Sequence, residues 1–161
     1  MTKTIKIILS LSLILFFQVG IFPHIAISGV YPNLILISII TLSILRGFKQ
    51  SLIWTIIAGL FLDFYSLSNF FGISLICLIV VSFGASFAAQ NIIKKTNPSS
   101  IILVFVAMVT LYDLLLLAIY KILGIGFDFT LLKFLVNIIY NSVIAAPVFY
   151  TIKKLFPAGK V

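Results

Sequence analysis

Apolar residues run in long blocks along this chain, and the polar residues between them fall in short clumps. Four of those clumps are basic: Lys3/Lys6, Arg46/Lys49, Lys94/Lys95 and Lys153/Lys154/Lys160. The gaps between them are about 40, 45 and 58 residues, and each accommodates an out-and-back pair of transmembrane helices of about 20 residues. Three pairs make six spans. The pattern predicts them over residues 5–22, 33–45, 51–66, 70–90, 101–120 and 131–150 of one integral membrane domain, 1–161. A transmembrane β-barrel would instead alternate apolar and polar positions in segments of about 10 residues, and polar residues are too scarce here for that.

Turn-forming residues mark the breaks. Pro23, Gly29 and Pro32 place a loop over 22–33. Ser66 to Asn69 reads as a short turn, and 91–100 and 121–129 as loops. The second block is short, covering only about 20 Å as a helix. A re-entrant hairpin there would bury Arg46 and Lys49 in hydrocarbon at about 2.5–3.5 kcal/mol each, so a true span is the better reading. The first block, with Lys3 and Lys6 ahead of it and Ala26-Ile27-Ser28 behind, is like a signal peptide. Pro23 and His24 intervene before that small-x-small site, and further spans follow, so an uncleaved anchor is expected. Pro147 should kink the last span near its end.

Composition sharpens the class. The chain has 161 residues, 63% of them apolar and only 9% charged, too few charges to build a water-facing surface. The net charge of +8 would suit nucleic acid, but the cations sit in pairs at span edges rather than in a stripe. Their role is to hold loops in the cytoplasm and to touch anionic lipid. Lys3, Lys6, Arg46, Lys49, Lys94, Lys95, Lys153, Lys154 and Lys160 fall on one side, against Lys121 and Lys133 on the other. That asymmetry predicts both termini in the cytoplasm. Tyr31, Tyr65, Tyr120 and Tyr150 lie near span ends, as an aromatic belt requires.

Candidate chemistry is sparse. With one His and one Cys in the chain, no metal-ligand cluster and no internal disulfide form. Cys77 reads as a buried thiol and His24 as a solvated loop residue. No phosphate loop, nucleophile triad or catalytic carboxylate pair is evident, so neither enzyme nor cofactor is expected. What stands out is polarity inside the spans. Asp63 lies near the outer end of span three, able to reach headgroup water or to close the 66–69 turn through backbone hydrogen bonds. Asp113 lies deeper in span five. Asn137 and Asn141, one turn apart on span six, share a face at a comparable depth of about 10–16 Å. An intramembrane carboxylate is costly and is paired, protonated or functional. The reading is that Asp113 bonds Asn137 or Asn141 and locks spans five and six, the alternatives being a protonated carboxyl or one facing a water-filled cavity. Gly84-x-x-x-Ala88 is a small-residue pair suited to close helix packing.

The stretch from Pro32 to Gly72 reads P-N-L-I-L-I, then R-G, then G-L-F-L-D-F-Y-S and F-G. It resembles the MreD family of bacterial rod-shape-determining membrane proteins. Pro32, Asn33 and Leu34 stand at that family's Pro-Asn/Asp-Leu start of the second span. Gly59 and Asp63 stand at its Gly-x-x-x-Asp element, and Gly72 after the following turn. Asp113 matches an acidic position of the penultimate span, Asn137 a polar position of the last, and Lys153/Lys154 its basic end.

The resemblance implies a non-enzymatic scaffold of the elongation machinery that builds the lateral cell wall, set in the bacterial cytoplasmic (inner) membrane. Its implied partners are a bitopic MreC-like protein and, indirectly, an MreB-like filament and the RodA glycosyltransferase with its transpeptidase. It also implies an all-α, six-helix fold shared with substrate-binding subunits of energy-coupling-factor vitamin transporters. That likeness supplies the alternative function, a vitamin-binding subunit whose outward cavity Asp63, Asp113, Asn137 and His24 would line. The outer loops are poor in Trp, Arg and Glu, which a polar vitamin site would need, and the scaffold reading is preferred.

Overall fold

A computed structural model describes residues 13–14, 16–65, 71–91, 98–124, 126 and 130–155. The clusters at Lys3/Lys6 and Lys94/Lys95, Lys160 and the expected 66–69 turn lie outside the described residues. Helical residues 13–14 and 16–20 are the described part of α1. A 3-10 turn, Phe22–Ile25, follows, and then α2 (Leu34–Arg46), α3 (Phe48–Tyr65), α4 (Ile73–Asn91), α5 (Pro98–Ile122) and α6 (Leu131–Leu155). Among the described residues, helix thus stands in each of the six apolar blocks of the sequence. The one β feature among the described residues is an isolated antiparallel bridge, Ile27 to Val30, in the expected 22–33 loop.

The helices divide by length. α4, α5 and α6 are long and apolar enough to cross a membrane. α3 has 18 residues but carries Lys49 and Gln50 in its first turn and Asp63 in its last. α2 has 13 residues, about 20 Å of helix. Every α2 residue from Leu34 to Ser43 is buried. A helix that is apolar on all faces belongs in an interior, and α2 is the axle of the bundle, packed against α3, α4, α5 and α6. Those four helices form an arc around it, each against the next. Their outward faces carry exposed Ile57, Phe64, Phe83, Phe87, Leu103, Ile139 and Val143, the surface that lipid requires and water would not tolerate.

Local chemistry sets the helix ends. Pro32 has no N–H to satisfy, and the Asn33 side chain accepts from Leu36 N–H at 3.0 Å as the N-cap of α2. At the other end, Gly47 adopts φ +78° and returns its N–H to the Ser43 carbonyl. This left-handed cap favours glycine, and it lets α3 start at the next residue. α6 continues through Pro147 to Leu155.

Two close approaches within the arc depend on glycine. A Cβ on Gly59 would sit 2.6 Å from the Leu75 Cα, so glycine lets α3 and α4 cross at backbone distance. A Cβ on Gly84 would sit 3.2 Å from Met108 Sδ, so that small residue serves packing between α4 and α5. Near the end of α2, hydroxyls from three helices form a buried knot. Ser43 Oγ lies 2.8 Å from Ser82 Oγ and 3.1 Å from Ser51 Oγ, and Thr55 Oγ1 donates to Ser82 at 3.3 Å. Ser86 Oγ accepts from Phe48 N–H at 3.0 Å. With little water available, such hydroxyls must satisfy one another.

Candidate functional site

The first turn of any helix leaves N–H groups without partners, and inside a membrane each must find one. At the start of α2 they are answered from three places. Asn33 N–H donates to Asn141 Oδ1 at 2.8 Å, from α6. Leu34 N–H donates to Gln18 Oε1 at 2.7 Å, from α1. Leu36 N–H goes to Asn33 Oδ1.

The first of these bonds fixes the direction of a longer chain. A backbone N–H only donates, so Asn141 presents its oxygen there and its amide nitrogen on the other side. That nitrogen donates to Asn137 Oδ1 at 2.7 Å and to the Asn137 carbonyl at 2.8 Å. Asn137 is thereby turned so that its own Nδ2 donates to Asp113 Oδ2, at 2.6 Å. The polarity of one backbone amide is carried through two side-chain amides to a carboxylate. α5 and α6 are joined by this Asp113–Asn137 bond, and Asn141 extends the connection to α2.

Asp113, Asn137 and Asn33 line a cavity of about 610 Å³, together with Gln18, Tyr31, Leu36, Leu62, Tyr65, Ser74, Tyr112, Leu116 and Tyr120. Among these lining residues Asp113 carries the one formal charge. Tyr31, Tyr65 and Tyr120, expected to mark span ends, converge here. Burial pushes the Tyr31 phenol above its ordinary range, and the neighbouring Tyr65 adds to the shift, so the Tyr31 hydroxyl keeps its proton at ordinary pH.

Asp63 is elsewhere. It is 2% exposed, away from headgroup water, and it takes the other of its two expected roles, bonding to backbone N–H groups. Its carboxylate accepts from the N–H groups of Gly72, Ser74 and Leu75 at 3.0, 2.8 and 3.3 Å. It therefore caps the start of α4, where helix-end donors and the macrodipole both favour a negative charge. Gly72, at φ +99°, makes the left-handed turn that brings those donors round. Gly59 lies one helical turn before Asp63, at the α3–α4 crossing. His24 is exposed in the 3-10 turn. Neither Asp63 nor His24 is among the residues lining the cavity, which corrects that part of the expected ligand set.

Gln18 and Tyr112 are among the cavity residues that were not anticipated. Gln18 is an amide inside an apolar block, the kind of signal that could have found it. Tyr112, adjacent to Asp113 in the sequence, gave none beyond its neighbour.

Comparisons with curated proteins and with solved structures returned no match. A family model described as rod shape-determining protein MreD matches residues 1–158, nearly the whole chain. That span takes in both polar constellations, the Asp63 cap and the Asp113–Asn137–Asn141 chain, and the protein belongs to the MreD family of rod-shape-determining membrane proteins.

Proposed function

We propose that this protein is a non-enzymatic, multi-pass scaffold of the cell-elongation complex in the bacterial cytoplasmic membrane, with both termini in the cytoplasm. The observation that carries the reading is the family match over residues 1–158. The bundle holds the single transmembrane helix of an MreC-like partner against its lipid-facing surface. Through that partner it supports the RodA glycosyltransferase, its transpeptidase and lateral peptidoglycan synthesis. The basic cytoplasmic edge faces an MreB-like filament and anionic lipid.

The surface supports this assignment. Helix association in lipid depends on packing rather than on a hydrophobic drive, and the exposed apolar faces of α3 to α6 offer such a surface. Gly59 and Gly84 are already used in contacts within the bundle, so the partner helix packs on other positions. The vitamin-transporter reading gains no support from the comparisons.

Depletion tests the proposal. Rod-shaped cells deprived of the protein become round, and the protein extracted in mild detergent brings a bitopic MreC-like protein with it. Cells that keep their rod shape through depletion would overturn the assignment.

A further inference from the structure

We propose that the cavity at the start of α2 is a binding site for a primary ammonium group borne on a small hydroxylated body. This goes beyond the scaffold role and does not depend on it.

Three observations carry it. First, the hydrogen-bond chain from Asn33 N–H through Asn141 and Asn137 delivers a donor to Asp113 Oδ2. It thereby fixes the orientation of the carboxyl and occupies one of its two oxygens. Asn137 is the one hydrogen-bond partner of Asp113 among the described residues, so the second carboxylate oxygen is left for a ligand. Second, no Lys or Arg lines the cavity among the described residues, so this charge is uncompensated by a lining cation. Third, Tyr31, Tyr65 and Tyr120 line the same cavity. Aromatic faces attract cations, and their hydroxyls, with the Asn33 and Asn137 amides, suit a ligand that carries oxygen as well as charge.

The volume sets the size. About 610 Å³ is within the range of small-molecule sites and far more than one ammonium group fills. The same ammonium chemistry comes from a free amino alcohol or from an aminophospholipid headgroup.

The test uses the full-length protein in phosphatidylglycerol nanodiscs. Ethanolamine is titrated against it by calorimetry, with ethylene glycol as the uncharged counterpart. Saturable binding of ethanolamine and none of ethylene glycol is expected. Asp113→Asn keeps an acceptor for Asn137 and removes the charge, and it should weaken ethanolamine binding at least tenfold. Tyr120→Leu should weaken it severalfold. In parallel, native mass spectrometry of the protein from mixed phosphatidylethanolamine and phosphatidylglycerol membranes reads the lipid arm. Enrichment of phosphatidylethanolamine identifies the headgroup source. Ethanolamine binding without that enrichment identifies the free solute. No saturable ethanolamine binding together with no lipid enrichment would overturn the proposal, and so would equal binding of ethanolamine and ethylene glycol. The ethanolamine and glycol comparison on the unaltered protein decides the matter even if Asp113→Asn does not fold.

Discussion

Asn141 is fully buried, and it answers a backbone donor that has no other described partner. Removing its side chain strands the Asn33 N–H and frees Asn137 to rotate. A buried group left unsatisfied costs about 1–3 kcal/mol, so Asn141→Ala should lower the unfolding free energy by that order, read by thermal denaturation in detergent. Asp113→Asn should stay within about 1 kcal/mol of the unaltered protein, since an amide oxygen still accepts from Asn137. Gly59 gives the steric counterpart. Its would-be Cβ meets backbone at 2.6 Å, which cannot rotate away, and Gly59→Ala should cost about 1–3 kcal/mol through overpacking. Gly84→Ala should cost less, because its neighbour is the flexible end of Met108.

Elements here are held at their ends as well as along their flanks. α4 begins on a carboxylate from α3, α2 begins on amides from α1 and α6, and α3 begins on the Ser86 hydroxyl of α4. Asp63→Ala should release the first turn of α4, with hydrogen exchange at Ser74 and Leu75 accelerated and stability reduced by about 1.5–3 kcal/mol, the scale of a hydrogen bond to a charged group. Unchanged exchange there would show that α4 is fixed by packing alone. The sequence made the helices themselves legible, because apolar blocks and their polar breaks are local signals. It made the Asp113–Asn137 pair legible because both residues are polar in apolar surroundings at matching depth. It left the hydroxyl knot and the caps unread. Ser43 and Ser82 are 39 positions apart and Asn33 and Asn141 are 108 apart, and periodicity fixes neither the rotation nor the register of one helix against another. Asp63 was legible only in kind: backbone hydrogen bonding was one of its two expected roles, but its partners are Gly72, Ser74 and Leu75 at the start of α4.

For the molecule as a whole, orientation is the quantity that the charge distribution governs. Lys94 and Lys121 should lie on opposite sides of the membrane. With Cys77, the one cysteine, fully buried and replaced by alanine, Lys121→Cys should react with an impermeant maleimide on intact spheroplasts. Lys94→Cys should react only after permeabilisation. The central position of α2 has a further consequence, for biogenesis. A 13-residue segment is too short to partition stably into a bilayer alone, and it leaves the ribosome before α3 to α6, which enclose it. With only Gly47 between them, α2 and α3 must enter from the translocon as one hairpin. Nascent chains stalled before α5 and α6 would leave part of the girth of α2 unwrapped, and that exposed axle is what a membrane quality-control protease would recognise.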